Sequence, residues 1–284
     1  MVGYQTLILT KDKMFERFLV RLTIILFGII LYMATVNEAK SNELYINQIG
    51  TGNDDFTLNS TQEGEDNKID FSVGGSGNTV TIDQKGDDAY IGYTSLWGSG
   101  ASWGGDLDGN NNNLNLKQLC NQTPCGGDRF EFHISGNSND VDFYQGYHVT
   151  NSGTTLTPDN YEYGGHFVRL DIHGSNNTFL GSQRSNNSGH EHSNITYIYG
   201  SNNDVYMRQE SNQDKTMNLT VYNSYNDVDM IQTGSASHSA TVSITGSYGT
   251  DLDLLQQGGT AQSYSLTQDC QTSGGCSVSV TQGQ

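Results

Sequence analysis

The sequence predicts an all-β protein, a β-solenoid of stacked strand–turn–strand rungs. Three observations predict it. Apolar and polar residues alternate in short runs, the period of a half-buried strand. A pattern Gly-x-x-Asn-x-Φ-x-x-x-Gln, with Φ apolar, recurs along the chain. Its turn positions 200, 223 and 246 stand 23 residues apart, a fixed spacing of the length that marks solenoids. A two-strand unit this small cannot bury its apolar side alone, and stacking copies closes a continuous core.

The first 40 residues stand apart. Arg17 and Arg21 precede an apolar run from Leu22 to Ala34, with Met14 a plausible start. This has the order of a signal peptide, a basic region followed by a hydrophobic one. Residues 19–36 are also just long enough for an uncleaved membrane anchor. The expected division is residues 1–40 as signal peptide or anchor and 41–284 as the solenoid.

The repeats follow in order. Ile69, Phe71 and Val73 alternate with polar residues, Gly75 and Asn78 mark a turn, and Val80, Ile82 and Gln84 form the second strand. Phe130, Phe132, Ile134, Gly136, Asn139, Val141, Phe143 and Gln145 repeat the design. Val168, Leu170, Ile172, Gly174, Asn177, Phe179 and Gln183 do so again, with Gly181 in a normally apolar place. Ile198, Gly200, Asn203, Val205, Met207 and Gln209 come next. Then come Met217, Leu219, Val221, Asn226, Val228, Met230 and Gln232, with Asn223 at the turn glycine's place. A last copy with one extra turn residue holds Ala240, Val242, Ile244, Gly246, Leu252, Leu254 and Gln256. Two insertions, about 89–113 and 147–165, are expected to interrupt the stack.

The fixed polar positions have a physical reading. A buried Gln needs partners for two donors and a carbonyl, and an identical Gln one rung away supplies them as an amide ladder. Asn in the turns can ladder likewise and tolerates left-handed backbone, while Gly permits the reversal without a Cβ clash. The plainer alternative is that each Gln ends its strand at the surface.

Composition excludes several functions. The chain of 284 residues has 34 Gly, 28 Asn and only 34% hydrophobic residues. Residues 41–284 carry 8 Lys plus Arg against 28 Asp plus Glu, a net charge of −20. Nucleic acid is not an expected partner, because a phosphate backbone needs a basic face. No Ser/His/Asp order, phosphate loop or supported acidic pair is present, so no enzyme activity and no cofactor are expected.

These residues resemble the curlin repeats of bacterial curli fibres, Ser-x5-Gln-x-Gly-x2-Asn-x-Ala-x3-Gln. The second half matches at 75–84, 136–145, 174–183 and 200–209, and with Asn223 for Gly at 223–232. Gln48, Gly50 and Asn53 match the first half, and Gln256-x-Gly258 is a further partial match. The likeness covers roughly 42–88 and 128–284. The departures are that the repeat's first Gln becomes Val73, Ile134, Ile172, Ile198, Val221 and Ile244. Its Ser becomes Asn67, Asp128, His166, His192, Lys215 and His238. The resemblance implies an amyloid-type cross-β core and a protein secreted to the outer surface of a bacterium. It also implies self-association into fibres for cell adhesion and biofilm, and passage through curli-type export machinery. The alternative is a monomeric secreted adhesin that binds a cell or matrix surface. The expected ladder is Gln48, Gln84, Gln145, Gln183, Gln209, Gln232 and Gln256, with Asn53, Asn78, Asn139, Asn177, Asn203 and Asn226. The turn glycines are Gly50, Gly75, Gly136, Gly174, Gly200 and Gly246.

Other groups admit competing readings. Cys120 with Cys125 and Cys270 with Cys276 read as two local disulfides in an exported protein, the alternative being a four-Cys zinc site. His166, His192 and His238 share one repeat position, either stacked imidazoles that bind metal or sense acid, or solvated strand starts. Residues 106–112 resemble part of a calcium loop without its distal Glu, or are a polar insertion; no metal site is expected overall. Asp227, Asp229, Asp251 and Asp253 are outward positions whose mutual repulsion would fall with divalent ions or acid. Tyr90, Tyr93, Trp97 and Trp103 lie among glycines, suited to carbohydrate contact or to covering one side of the solenoid.

Overall fold

A computed structural model describes residues 41–49, 55–92, 105–121, 127–149, 156–158, 162–185 and 189–283. Among these residues the protein is a parallel β-solenoid without helix. Two sheets face each other, and each rung contributes one strand to each. The second sheet has nine strands: Phe56–Glu63, Asn78–Lys85, Asn113–Leu119, Asp140–Gln145, Thr178–Arg184, Asp204–Glu210, Asp227–Gln232, Thr250–Gln256 and Cys276–Gln282. The first sheet opens with Glu43–Ile49 and Lys68–Gly74 and closes with His238–Gly246 and Gln262–Cys270. Its third rung is split into Tyr90–Ile91 and Gly105–Asp108. In the sixth and seventh rungs its regular pairing shrinks to His192–Ser193 and Lys215–Thr216.

Every strand of the stack pairs parallel and in register with the equivalent strand of the next rung, as in Phe179↔Val205↔Val228↔Leu252↔Val278. Register is set by the side-chain period, because a one-residue slip would turn every apolar side chain outward. The inward columns form one buried core, from Ile69 in the second rung to Leu254 in the eighth. Aromatic rings fill its middle: Phe71 and Phe132 have centroids 5.6 Å apart, Phe130 and Phe143 5.3 Å, Phe143 and Phe179 6.2 Å. Each such side chain contributes about 1.5–3 kcal/mol by leaving water, so few per rung suffice.

The turn glycines are required by the rung above. Gly136 has φ +119°, and a Cβ there would collide with the carbonyl oxygen of Gly174. Gly181, the apolar position without a side chain, has a different reason. Its missing Cβ leaves room for the Phe143 and Phe179 rings, which a Cβ would overlap. We expect Gly181→Ala to cost about 1–3 kcal/mol through overpacking. Much of that loss should return in a Phe143→Leu background, as a double-mutant denaturation cycle would show.

The structure corrects the expected insertions. Residues 105–119 are a regular rung, with Leu114, Leu116 and Gln118 in register with Val80, Ile82 and Gln84. Residues 106–112 are accordingly a strand end and its turn. Only 93–104 remain of the first insertion, and they lie outside the described residues with Tyr93, Trp97 and Trp103. In the second insertion Tyr147–Val149 pairs antiparallel with Leu156–Pro158, against the direction of the stack. The expected signal or anchor segment, residues 1–40, also lies outside the described residues.

Candidate functional site

Three columns of polar groups run along the axis, and among the described residues two open ends terminate them. The first column is an unbroken amide ladder: Gln62, Gln84, Gln118, Gln145, Gln183, Gln209, Gln232, Gln256 and Gln282. Each Nε2 donates to Oε1 of the next member, at 2.7–3.1 Å. The second proton goes to a backbone carbonyl of the facing strand, as from Gln183 to Phe167 O at 3.1 Å. The inner members are buried. Gln48 is not in this ladder. It is exposed, on the other strand of the first rung, and pairs with Val73. Gln62 holds the place assigned to it, because the first rung repeats Gln on both strands and spacing alone did not separate them. Gln118 and Gln282 also belong to the ladder, and Gln118 follows Gly109-x-x-Asn112-x-Leu114 at the repeat's own spacing.

The second column lines the turns. Asn78, Asn112, Asn139, Asn177, Asn203 and Asn226 are buried, and each Oδ1 accepts the backbone N–H of the next member at 3.0–3.1 Å. Thr250 continues it, its N–H donating to Asn226 Oδ1 at 2.8 Å. Each Nδ2 from Asn78 to Asn177 donates to a turn carbonyl one rung on, at Gly109, Gly136, Gly174 and Gly200. Gly50 and Asn53 lie outside the described residues, and Phe56 is the residue in register with Asn78. In the last rung the Cys270–Cys276 disulfide closes this turn, with a Cα separation of 5.8 Å. It joins the two strands of one rung and does not cover the outer edge. Cys120 is also disulfide-bonded, while Cys125 lies outside the described residues.

The third column occupies the opposite corner: Asn42, Asn67, Ala89, Asp128, His166, His192, Lys215, His238 and Gln262. The three histidines are buried, so they are not solvated strand starts. They substitute for an Asn ladder. Asn67 N–H donates to Asn42 Oδ1, His166 N–H to Asp128 Oδ1, His192 N–H to His166 Nδ1 and Gln262 N–H to His238 Nδ1. An accepting Nδ1 fixes the neutral tautomer with its proton on Nε2, which reaches Glu162 Oε1 from His166 and Thr233 O from His238, both at 2.8 Å. The His166 and His192 rings stack at 4.9 Å. Lys215 Nζ donates to Gly234 O and Ala236 O, and burial lowers its pKa to about 8.

Burial and the neighbouring His166 hold the His192 pKa well below the usual histidine range. Burial, then the Lys215 charge, lowers His238. For His166 burial pulls downward, but the carboxylates of Glu162 and Asp128 leave it raised. Burial pushes Asp128 up to about 7, and its Oδ2 has no hydrogen-bond partner. The signs differ. A lowered His costs stability as pH falls through about 6.5, because only the unfolded chain takes the proton. The raised His166 and Asp128 favour the fold on acidification, and lose that contribution as pH rises through their folded values. His192 faces His166 and Lys215, and Glu191 acts on the stacked His166. We expect the stability gap between wild type and His192→Gln to move against wild type as pH falls from 7 to 5, by at most about 1.4 kcal/mol per pH unit below 6.5. Urea denaturation at both pH values checks this, and a gap independent of pH would contradict it.

Outward on the second sheet, Asp204, Asp227 and Asp251 stack in register, beside Asp229 and Asp253. Partial burial and then the neighbouring carboxylates raise the pKa of Asp229, the mark of like charges stacked one rung apart.

The two ends complement each other. In the first rung the inward side chains are Leu44, Ile46 and Gln48 on one strand, and Leu58, Ser60 and Gln62 on the other. In the last rung they are Tyr264, Leu266 and Gln268, then Val278, Val280 and Gln282. Inner members of these columns are buried, whereas the end members are exposed or half-buried, with Leu44 51% exposed. The apolar column Val73–Leu107–Ile134–Ile172 and the buried Ile244 is bounded at its two ends by Gln48 and Gln268. Comparison with protein-family models, curated proteins and solved structures finds no match for this chain.

Proposed function

We propose that this protein is a curlin-like structural subunit that stacks end to end into extracellular fibres supporting cell adhesion and biofilm. The observation that carries the reading is the match between its ends. A second copy placed one rung beyond the last strand sets Tyr264 over Leu44, Leu266 over Ile46, Val278 over Leu58, Gln268 over Gln48 and Gln282 over Gln62. The amide ladder has a direction: every Nε2 donates toward the higher-numbered rung. A carbonyl oxygen therefore ends it at Gln62 and an amide N–H at Gln282, so only head-to-tail joining continues it. Unpaired parallel strand edges of this kind are a template for another chain.

The role implies secretion through curli-type export machinery, with other copies or other curlin-like subunits as partners. The charge of −20 on residues 41–284 opposes association at low salt, so assembly should be promoted by divalent cations or mild acid. Purified protein is expected to give thioflavin-positive fibres with a cross-β spacing near 4.8 Å. Persistence as a monomer at every concentration, pH and cation tried would sink the reading. The second reading, a monomeric adhesin, draws on the antiparallel hairpin at 147–158, which departs from the stack; surface binding lost on deleting it, without fibres, would favour that role.

A further inference from the structure

We propose that the outward face of the first sheet carries a binding site for a first-row transition-metal ion such as Zn2+, held by His133, Asp171 and His173. One ligating atom from each of these residues lies within 4.8 Å of the others. Parallel register creates the group: Asp171 sits one rung above His133, and His173 lies two positions along the same strand direction, on the same face. His173 Nε2 is 2.5 Å from Asp171 Oδ1, and the two imidazole centroids are 4.9 Å apart.

The surroundings favour a cation. Asp171 is fully buried although it points outward, and Tyr199 Oη donates to its Oδ2 at 3.1 Å. That bond leaves Oδ1 to face the histidines. One rung below, Asp106 Oδ2 stands 3.3 Å from His133 Nδ1, and its Oδ1 accepts from Ser72 Oγ at 2.8 Å. A carboxylate at one nitrogen of a ligating imidazole orients the ring and raises its basicity. Asp106 and Tyr199 are thus positioning residues for His133 and Asp171. His133 and His173 are 30% and 40% exposed at their side chains, so an ion can enter from solvent. Two imidazoles and one carboxylate suit zinc, copper or nickel rather than calcium or magnesium, and three protein ligands leave a coordination position open. Bound there, the ion would clamp the fourth and fifth rungs together from outside. The site is distinct from the buried corner histidines.

Zn2+ titration of the untagged full chain by calorimetry, with Co2+ absorption as the spectroscopic probe, tests this. One equivalent is expected to bind. Tyr199→Phe should weaken it by roughly 10–100-fold, the range for lost orienting groups, and His133→Ala or His173→Ala by more. His190→Ala, which removes a partly buried imidazole paired with Asp214, should change nothing. Absence of a bound equivalent, or binding indifferent to His133→Ala and His173→Ala, would overturn the proposal. Diethyl pyrocarbonate footprinting of wild type gives the same answer if a variant fails to fold. Zn2+ should protect His133 and His173, and equal modification of both with and without Zn2+ would refute the site.

Discussion

Replacing Gln183 by Leu is expected to destabilise the protein by at least about 2 kcal/mol. The side chain is buried and sits mid-ladder. Its loss leaves one proton of Gln145 Nε2 and the Oε1 of Gln209 without their partners, while the Phe167 carbonyl keeps the Asn194 N–H. Each orphaned buried group costs about 1–3 kcal/mol, and the leucine's own apolar gain does not offset two of them. Gln48→Leu makes the same chemical change on the exposed first rung and should alter stability by less than about 0.5 kcal/mol. Equilibrium denaturation of the two variants separates a working ladder from glutamines that only end strands. Equal effects would contradict the ladder.

Val278→Lys is expected to leave the solenoid folded while stopping its growth. Val278 is half-buried on the last strand, packed from one side only by the core. In solution the ammonium group can bend toward water past the open edge. In a stacked fibre it would be enclosed against Leu58 of the next copy, a desolvation penalty of several kcal/mol. The concentration needed for fibre growth should therefore rise by at least about a hundredfold, at about 1.4 kcal/mol per tenfold. Ser279→Lys places the same charge on the outward side of the same strand and should not block growth, since it reduces the net negative charge. Sedimentation of fibres from each variant reads the difference.

Much of the fold could be read from residue spacing because the constraint is local and repeated. The turn needs Gly and Asn at fixed offsets, and the ladder needs Gln at a fixed offset from Asn. Those offsets survive wherever the second strand is uninterrupted. The rung at 105–119 is hard to read from sequence because the break at 93–104 falls in the preceding strand and Asn110 to Asn113 form a run in which Asn112 does not stand out. Gln48 falls outside the ladder for a related reason: strand order within the first rung is a tertiary fact. The corner column was visible as a shared repeat position, but its chemistry was not. Asn67, Asp128 and His166 look unrelated in sequence, yet each presents an acceptor to the backbone N–H one rung on. Glu162, buried against His166, came from a stretch that reads as an insertion. The His133–Asp171–His173 group was illegible because its members meet only through inter-rung register.

The acidic columns and two of the corner histidines, His192 and His238, set opposing pH dependences. Repulsion between stacked carboxylates relaxes on acidification, while His192 and His238 resist protonation. Assembly should therefore be favoured where carboxylate repulsion has eased and His192 and His238 are still neutral.

Mass per unit length, measured on unstained fibres by scanning transmission electron microscopy, tests end-to-end stacking most directly. Nine rungs at about 4.8 Å place one molecule in every ~43 Å of a single fibre strand, and that value is the expected result. One molecule per ~4.8 Å, as in chains laid flat upon each other, or protein that never leaves the monomeric state, would contradict it.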